Sequence, residues 1–107
     1  MNVPIEQVFS LSDVIVYRKN QITSTVLITE KNIDIVLYAM DCEESISSES
    51  SPNRKMIFVI DGSLNITISQ TSHALHIGDS LIIEKNKQHS IEAHERSKFI
   101  QINYNYK

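Results

Sequence analysis

The stretch from Met56 to Ala93 constrains the fold of this chain more than any other feature. It contains five short segments that are apolar or alternate apolar with polar residues, and each ends at residues that favour a turn. Both glycines of the chain, Gly62 and Gly78, stand at two of these turns. Alternation is the period of a half-buried strand, and glycine tolerates backbone conformations that other residues avoid. The stretch therefore predicts five consecutive short β-strands.

Further strands are expected on both sides of this stretch. Residues 21–29 are rich in Thr, Ile and Val, residues 33–40 are apolar on both faces, and residues 97–104 return to strand character. Short strands at this spacing predict a closed all-β sandwich or barrel.

Two segments have a weaker pattern. Near the N-terminus a short helical stripe is predicted, with a cap before residues 14–17, from Ile5, Val8, Phe9, Leu11 and the pair Ser12–Asp13. Residues 41–55 are strongly polar with Ile46 as their apolar anchor, and they predict a long loop that is either mobile or functional.

Composition excludes several classes of protein. A length of 107 residues favours a single domain over residues 1–107, and a formal net charge of −3 gives no footprint for nucleic acid. No run is long enough to span a bilayer, and the N-terminus has no secretory pattern. Cys42 is the one cysteine, so an intramolecular disulfide is impossible and a cytoplasmic location is expected. The abundance of Ile, Asn, Lys and Ser suggests an AT-rich bacterial genome.

The run from Glu43 to Ala93 resembles the two sequence motifs of the cupins, which are small jelly-roll β-barrels. Counted back from Gly62, the first motif falls without a gap on Glu43, Glu49, Ser51 and Lys55. Counted forward from Gly78, the second falls on Glu84, Asn86, His89 and Ala93. The spacing fits throughout, and the residue types are kept at Gly62, Gly78 and His89. The resemblance implies a cupin-like jelly-roll barrel of about 8–10 short antiparallel strands.

The resemblance also places the family's metal-ligand positions on Glu49, Ser51, Lys55 and His89. A carboxylate and an imidazole suit many divalent ions, whereas a serine is a poor ligand and the Lys55 ammonium repels a dication. We therefore predict no metal cofactor, with a Glu49–Lys55 ion pair in the same space. These four residues would then form a ligand site, in which Lys55 attracts an anionic small molecule and His89 gives it a hydrogen bond. A structural, hydrogen-bonded histidine at the start of a strand is the alternative interpretation of His89.

The other reactive side chains indicate no second site. His73 is expected in a turn, His76 is expected to face solvent, and His94 has the parity opposite to His89, so strand alternation brings none of them to His89. Cys42 lies among acidic residues, which raise the pKa of a thiol and disfavour a nucleophile.

Three functions remain open from the sequence. The leading hypothesis is a small cytoplasmic cupin-fold protein that binds an anionic small molecule or a partner without catalysis. The alternatives are a metal-dependent oxygenase or isomerase that uses Glu49 and His89, and a structural dimer without a ligand. A homodimer is expected in any case, because two strands present a second apolar face that a small barrel cannot bury alone. We assign to that face Met56, Phe58, Ile60, Val36, Tyr38 and Met40.

Overall fold

Nine β-strands and one helical turn are found in the computed structural model, which describes residues 3–105. The elements are α1 (Leu11–Val14), β1 (Ile22–Glu30), β2 (Ile33–Met40), β3 (Glu44–Glu49), β4 (Arg54–Asp61), β5 (Ser63–Ile68), β6 (Thr71–His76), β7 (Ser80–Ile83), β8 (His89–Ala93) and β9 (Ser97–Tyr104). The five strands predicted between Met56 and Ala93 are β4 to β8, and the all-β prediction is confirmed. No helix among residues 3–105 is long and apolar enough to cross a membrane.

The strands form two antiparallel sheets that pack face to face. The five-stranded sheet has the order β1-β2-β9-β4-β7, and the four-stranded sheet has the order β3-β8-β5-β6. Alternation along β4 turns Ile57 and Val59 into the space between the sheets, where both are fully buried. Phe99 of β9 and Ile66 and Ile91 of the other sheet meet them in one apolar core. Burial of this core, at roughly 25 cal/mol per Å² of apolar surface, is the main stabilising term.

The N-terminal segment covers part of the outer face of the five-stranded sheet. Ile15 packs there on Leu37 and Ala39, and Lys98 donates a hydrogen bond to the carbonyl of Ser12. The predicted helical stripe is wrong, because the helix spans only Leu11–Val14 and no residue from 3 to 10 belongs to either core cluster. Ile5 and Val8 are 82% and 103% exposed.

Asp41 fixes the turn that joins β2 to β3. Its carboxylate accepts hydrogen bonds from the backbone N–H of Asn20 at 2.7 Å, from Arg96 Nε at 2.9 Å and from the backbone N–H of Cys42 at 2.9 Å. These donors lower the pKa of Asp41 to about 2, because they stabilise the charged carboxylate.

The segment 41–55 contains β3 and is not the continuous loop that we predicted. Ile46 pairs with Ile91 of β8, and a bulge between Ile46 and Glu49 lets Glu49 pair with His89. A strand with one apolar residue has no periodic signal of its own, so its place is determined by pairing with β8.

The prediction of which residues form the second apolar face is wrong in part. Val36, Tyr38 and Met40 were assigned to that face but lie on the inner face of β2, because β9 places Tyr38 opposite the buried Phe99. The outer face instead carries an apolar row with one residue from each of the five strands. Each residue of the row pairs with the next across the sheet, in the order Ile28, Ile35, Ile102, Met56 and Ile82. We call this set the outer row. Its end members Ile28 and Ile82 are 45% and 55% exposed.

The two glycines have different reasons to be glycine. Gly62 has a φ of +72°, and a Cβ there would lie 2.2 Å from the carbonyl oxygen of Arg96. Gly78 has a φ of +92°, but a Cβ would meet no atom within 4 Å. Gly62 therefore serves both the turn and the close approach of two chain segments, whereas Gly78 serves the turn alone.

Candidate functional site

Lys55 is a charged residue buried at one end of the space between the sheets. It has the parity of Ile57 and Val59 along β4, so its side chain points inward, and it is only 4% exposed. A buried ammonium needs partners, because an uncompensated charge in the interior costs several kcal/mol.

Glu49 and His89 supply those partners. Lys55 Nζ lies 2.9 Å from Glu49 Oε1 and 3.0 Å from His89 Nε2. Glu49 Oε1 lies 3.6 Å from His89 Nε2, so the three groups form one cluster. The predicted Glu49–Lys55 ion pair is confirmed. The bulge in β3 and the start of β8 bring the two partners together, because Glu49 and His89 are a cross-strand pair.

The hydrogen bonds of His89 define the role of each ring nitrogen. Nδ1 lies 2.9 Å from the carbonyl oxygen of Lys87, which can only accept, so Nδ1 carries the proton. Nε2 faces the ammonium of Lys55, which can only donate, so Nε2 offers its lone pair. The neutral imidazole is therefore fixed in one tautomer, and its lone pair is directed at Lys55.

The residues present do not fit a divalent metal ion. A histidine binds a metal ion through the lone pair of a ring nitrogen, and in His89 that lone pair already accepts from Lys55. Glu49 Oε1 contacts the same ammonium. Among residues 3–105, no group of three or more His, Cys, Asp or Glu side chains is arranged to hold a metal. The ammonium thus lies between the two groups that could have bound a metal.

Ser51 makes different contacts from the other three predicted site residues. Its hydroxyl accepts a hydrogen bond from the backbone N–H of Asn53 at 3.1 Å. Its carbonyl accepts one from the backbone N–H of Asn86 at 2.7 Å. Ser51 therefore joins the β3–β4 loop to the β7–β8 loop beside the cluster, while its role toward a ligand stays a prediction.

A wall of neutral polar side chains, which neither sequence motif indicates, completes this end of the barrel. Asn103 is the cross-strand partner of Lys55, and Gln101 Nε2 donates to Asn103 Oδ1 at 3.2 Å. Tyr38 lies diagonally opposite Gln101 on the neighbouring strand, and burial first, then the charge of Glu49, raises the pKa of its phenol. We call Tyr38, Gln101 and Asn103 the neutral wall. The signal was present in β9, where Gln101 and Asn103 share the parity of Phe99.

The loops around the cluster carry more positive than negative charge. Residues 49–55 and 84–89 contain four basic side chains and two carboxylates. Arg54 and Glu84 form a bidentate pair at 3.1 and 2.9 Å, which joins the two loops. The net charge of these residues is therefore positive, which favours the approach of an anion.

A surface cleft of about 380 Å³ borders His89 on its other side. Its lining includes Ser48, Thr67 and Ser90, and the Thr67–Ser90 pair lies on the face of the four-stranded sheet opposite to His89 and Ile68. The cleft has no charged group in its lining, and we place the site at the buried cluster, where charge and hydrogen-bonding groups converge.

The remaining histidines and the cysteine lie outside the cluster. His76 is exposed, as predicted, whereas His73 lies in β6 and not in a turn. His94 lies 3.7 Å from Glu43 with both side chains largely exposed, and Cys42 is also exposed.

Solved structures of similar proteins match nearly the whole chain. A cupin superfamily protein from Desulfitobacterium hafniense is 27% identical over 99% of this chain and 97% of its own, with a TM-score of 0.93. A protein of unknown function from Streptococcus pyogenes is 20% identical over 100% of this chain and 94% of its own, also with a TM-score of 0.93.

A cupin 2 conserved barrel domain protein from Leptotrichia buccalis is 22% identical over 91% of this chain and 47% of its own, with a TM-score of 0.87. Neither a family model nor a curated protein matches the sequence. The two sheets, the motif positions and these structures agree, and the chain therefore has the fold of a small cupin domain.

Proposed function

We propose that this protein binds a small anionic molecule at the barrel end formed by Glu49, Lys55 and His89, and that it does so without a metal ion. One observation carries the proposal: a buried ammonium is held in a fixed position by a carboxylate and a neutral imidazole. An ammonium has three N–H donors, and the contacts to Glu49 and His89 use two of them. The third can bind an oxygen of a ligand.

The roles of the residues differ in this proposal. Lys55 contacts the anion, and His89 orients the ammonium through Nε2, since both of its ring nitrogens already have protein partners. The excess of basic side chains in the surrounding loops concentrates anions near the site. Ser51 holds the two loops together through its carbonyl oxygen.

The metal-dependent oxygenase or isomerase that uses Glu49 and His89 is the alternative. It requires both groups to leave Lys55 and to turn toward a metal, which would strand a buried ammonium beside a dication. The donor arrangement therefore favours binding without a metal.

The outer row supports a further part of the proposal, a homodimer formed through the five-stranded sheet. Five apolar side chains in one row across a sheet are the kind of patch that associates, and Ile82 at its end is 55% exposed. We also propose that residues 1–107 act as one domain and work in the bacterial cytoplasm, where a lone cysteine such as Cys42 stays reduced.

Ligand-induced thermal stabilisation tests the anion site. At a ligand concentration ten times Kd, binding adds about 1.4 kcal/mol to the free energy of unfolding, which raises the Tm of a domain of this size by several degrees. A panel of carboxylates and inorganic phosphate is screened against the wild type, Lys55→Met and Lys31→Met. Lys31 is an exposed lysine in the β1–β2 turn and serves as the matched control. Stabilisation lost in Lys55→Met and kept in Lys31→Met supports the proposal; equal shifts in all three proteins contradict it.

A further inference from the structure

The carboxylate of Glu49 is the member of the cluster that can leave. Its side chain is 43% exposed, whereas the Lys55 side chain is 4% exposed and that of His89 is 1% exposed. A carboxylate that turns outward from the rim enters water and stays solvated, so the carboxylate itself loses little by leaving. The ammonium cannot follow, because its stem is fixed in β4 among buried residues.

Departure of Glu49 would leave Lys55 buried without a counter-ion. An ion pair broken in this way is strongly destabilising, since the remaining charge is uncompensated. The ammonium therefore keeps Glu49 in place until another anion arrives. Glu49 also indicates which anion fits, because a carboxylate oxygen already lies 2.9 Å from Nζ.

The neutral wall begins at the strand position opposite Lys55. Asn103 is the cross-strand neighbour of Lys55 on the same face, so their Cβ atoms lie about 5 Å apart. Gln101 is two residues along the same face, and Tyr38 lies diagonally opposite Gln101 on β2. Burial and then the charge of Glu49 raise the pKa of the Tyr38 phenol, so the phenol is near that carboxylate. Amide and phenol groups are neutral, so they can hydrogen-bond a hydroxyl or carbonyl oxygen but supply no counter-ion for a second full charge.

We propose that Glu49 is a displaceable counter-ion, and that the ligand is a small carboxylate carrying a hydroxyl or carbonyl oxygen. The ligand carboxylate replaces that of Glu49 at Lys55, and its second oxygen hydrogen-bonds Gln101 and Asn103. This inference rests on the proposed function and specifies its ligand class.

Titration calorimetry with three probes tests the exchange. Propionate supplies the carboxylate alone, lactate adds a hydroxyl, and inorganic phosphate supplies a different anion. In Glu49→Gln the internal competitor is gone, so both carboxylates should bind at least tenfold more tightly than in the wild type. Glu44→Gln is the matched control, because Glu44 lies on the same strand at its other end and should leave the affinities unchanged.

The neutral wall is tested by the ratio of the lactate and propionate affinities. The wild type should prefer lactate by about fivefold, the value of one net hydrogen bond. Asn103→Leu should abolish that preference and leave propionate binding unchanged.

Three results overturn the inference. In the first, the wild type binds carboxylates but Glu49→Gln binds them no more tightly, so Glu49 does not compete and the proposed function stands alone. In the second, phosphate binds more tightly than lactate, so the site does not select carboxylates. In the third, neither the wild type nor Glu49→Gln binds any of the three probes, which overturns the proposed function as well.

Discussion

Replacing Lys55 with glutamate should convert the cluster into a metal site. In the wild type a dication placed about 4 Å from the ammonium would be repelled by about 8 kcal/mol at an effective dielectric constant of about 20. That repulsion corresponds to a loss in affinity of about a millionfold. Lys55→Glu removes it and adds a third ligand beside Glu49 and His89, whose Nε2 lone pair becomes available.

The variant should be less stable than the wild type until a metal is added. Two carboxylates about 4 Å apart repel each other by roughly 4 kcal/mol under the same conditions, so the Tm should fall by ten degrees or more. A divalent ion at one hundred times its Kd should restore about 2.7 kcal/mol. The assay is thermal unfolding with and without Mn²⁺, Ni²⁺ or Zn²⁺, followed by titration calorimetry.

Two controls separate the added ligand from the lost charge. Lys55→Gln removes the ammonium without adding a carboxylate, and should gain far less metal affinity than Lys55→Glu. The double variant Lys55→Glu/His89→Ala should lose the gain, because one of the three ligands is missing. Two results would contradict a metal site in the variant. In one, metal raises the Tm of Lys55→Glu no more than that of the wild type; in the other, the double variant Lys55→Glu/His89→Ala keeps the metal-dependent rise in Tm.

Three further predictions concern stability and assembly. Asp41→Asn should lower the Tm at pH 7, as thermal melts at several pH values would measure. Because the folded pKa of about 2 lies below the unfolded value of 3.8, the wild-type advantage is complete above about pH 5 and should shrink as the pH falls toward 2. Light scattering should give twice the 12.2 kDa chain mass for the wild type and a single chain mass for Ile82→Glu. Ile77→Glu changes another exposed isoleucine and should stay dimeric, and a monomeric wild type would contradict the outer row as an interface. Gly78→Ala should lower the free energy of unfolding, measured with denaturant, by about 1 kcal/mol, because the alanine has only the positive φ to tolerate. Gly62→Ala should lower it clearly more, because the new Cβ also meets a carbonyl oxygen. Equal losses would mean that the close approach at Gly62 relaxes freely.

Much of the fold could be predicted because the signals are local. Each strand between Met56 and Ala93 carries its own alternation and its own turn residues, so β4 to β8 are recognisable without knowledge of the rest of the chain. β3 carries no such signal. Its single apolar residue, Ile46, is recognisable as part of a strand only from its pairing with Ile91 of β8.

The site could be predicted in part for a related reason. Motif spacing brought Glu49, Lys55 and His89 together, and the structure joins them within 3.6 Å. Motif spacing also suggested Ser51, whose hydroxyl and carbonyl bind the backbone of Asn53 and Asn86 and whose role toward a ligand stays a prediction. Spacing within one motif cannot show what a distant strand places opposite Lys55, so Gln101 and Asn103 were missed.

The faces of β2 were assigned wrongly because parity within a strand does not say which face is inside. One face of β2 carries the hydrophobic side chains of Tyr38 and Met40, and the other carries those of Leu37 and Ala39. The sequence therefore does not show which face is buried between the sheets. The register with β9 decides the matter, since Tyr38 lies opposite the buried Phe99.

The metal content of the wild-type protein tests the central claim most directly, namely that the Lys55 ammonium occupies the place of a metal ion. The protein is purified without a tag, incubated with Mn²⁺, Ni²⁺ or Zn²⁺, desalted and analysed for elements, beside His89→Ala. We expect far less than one ion per chain in both proteins. One ion per chain in the wild type that is lost in His89→Ala would contradict it and would favour the metal-dependent enzyme.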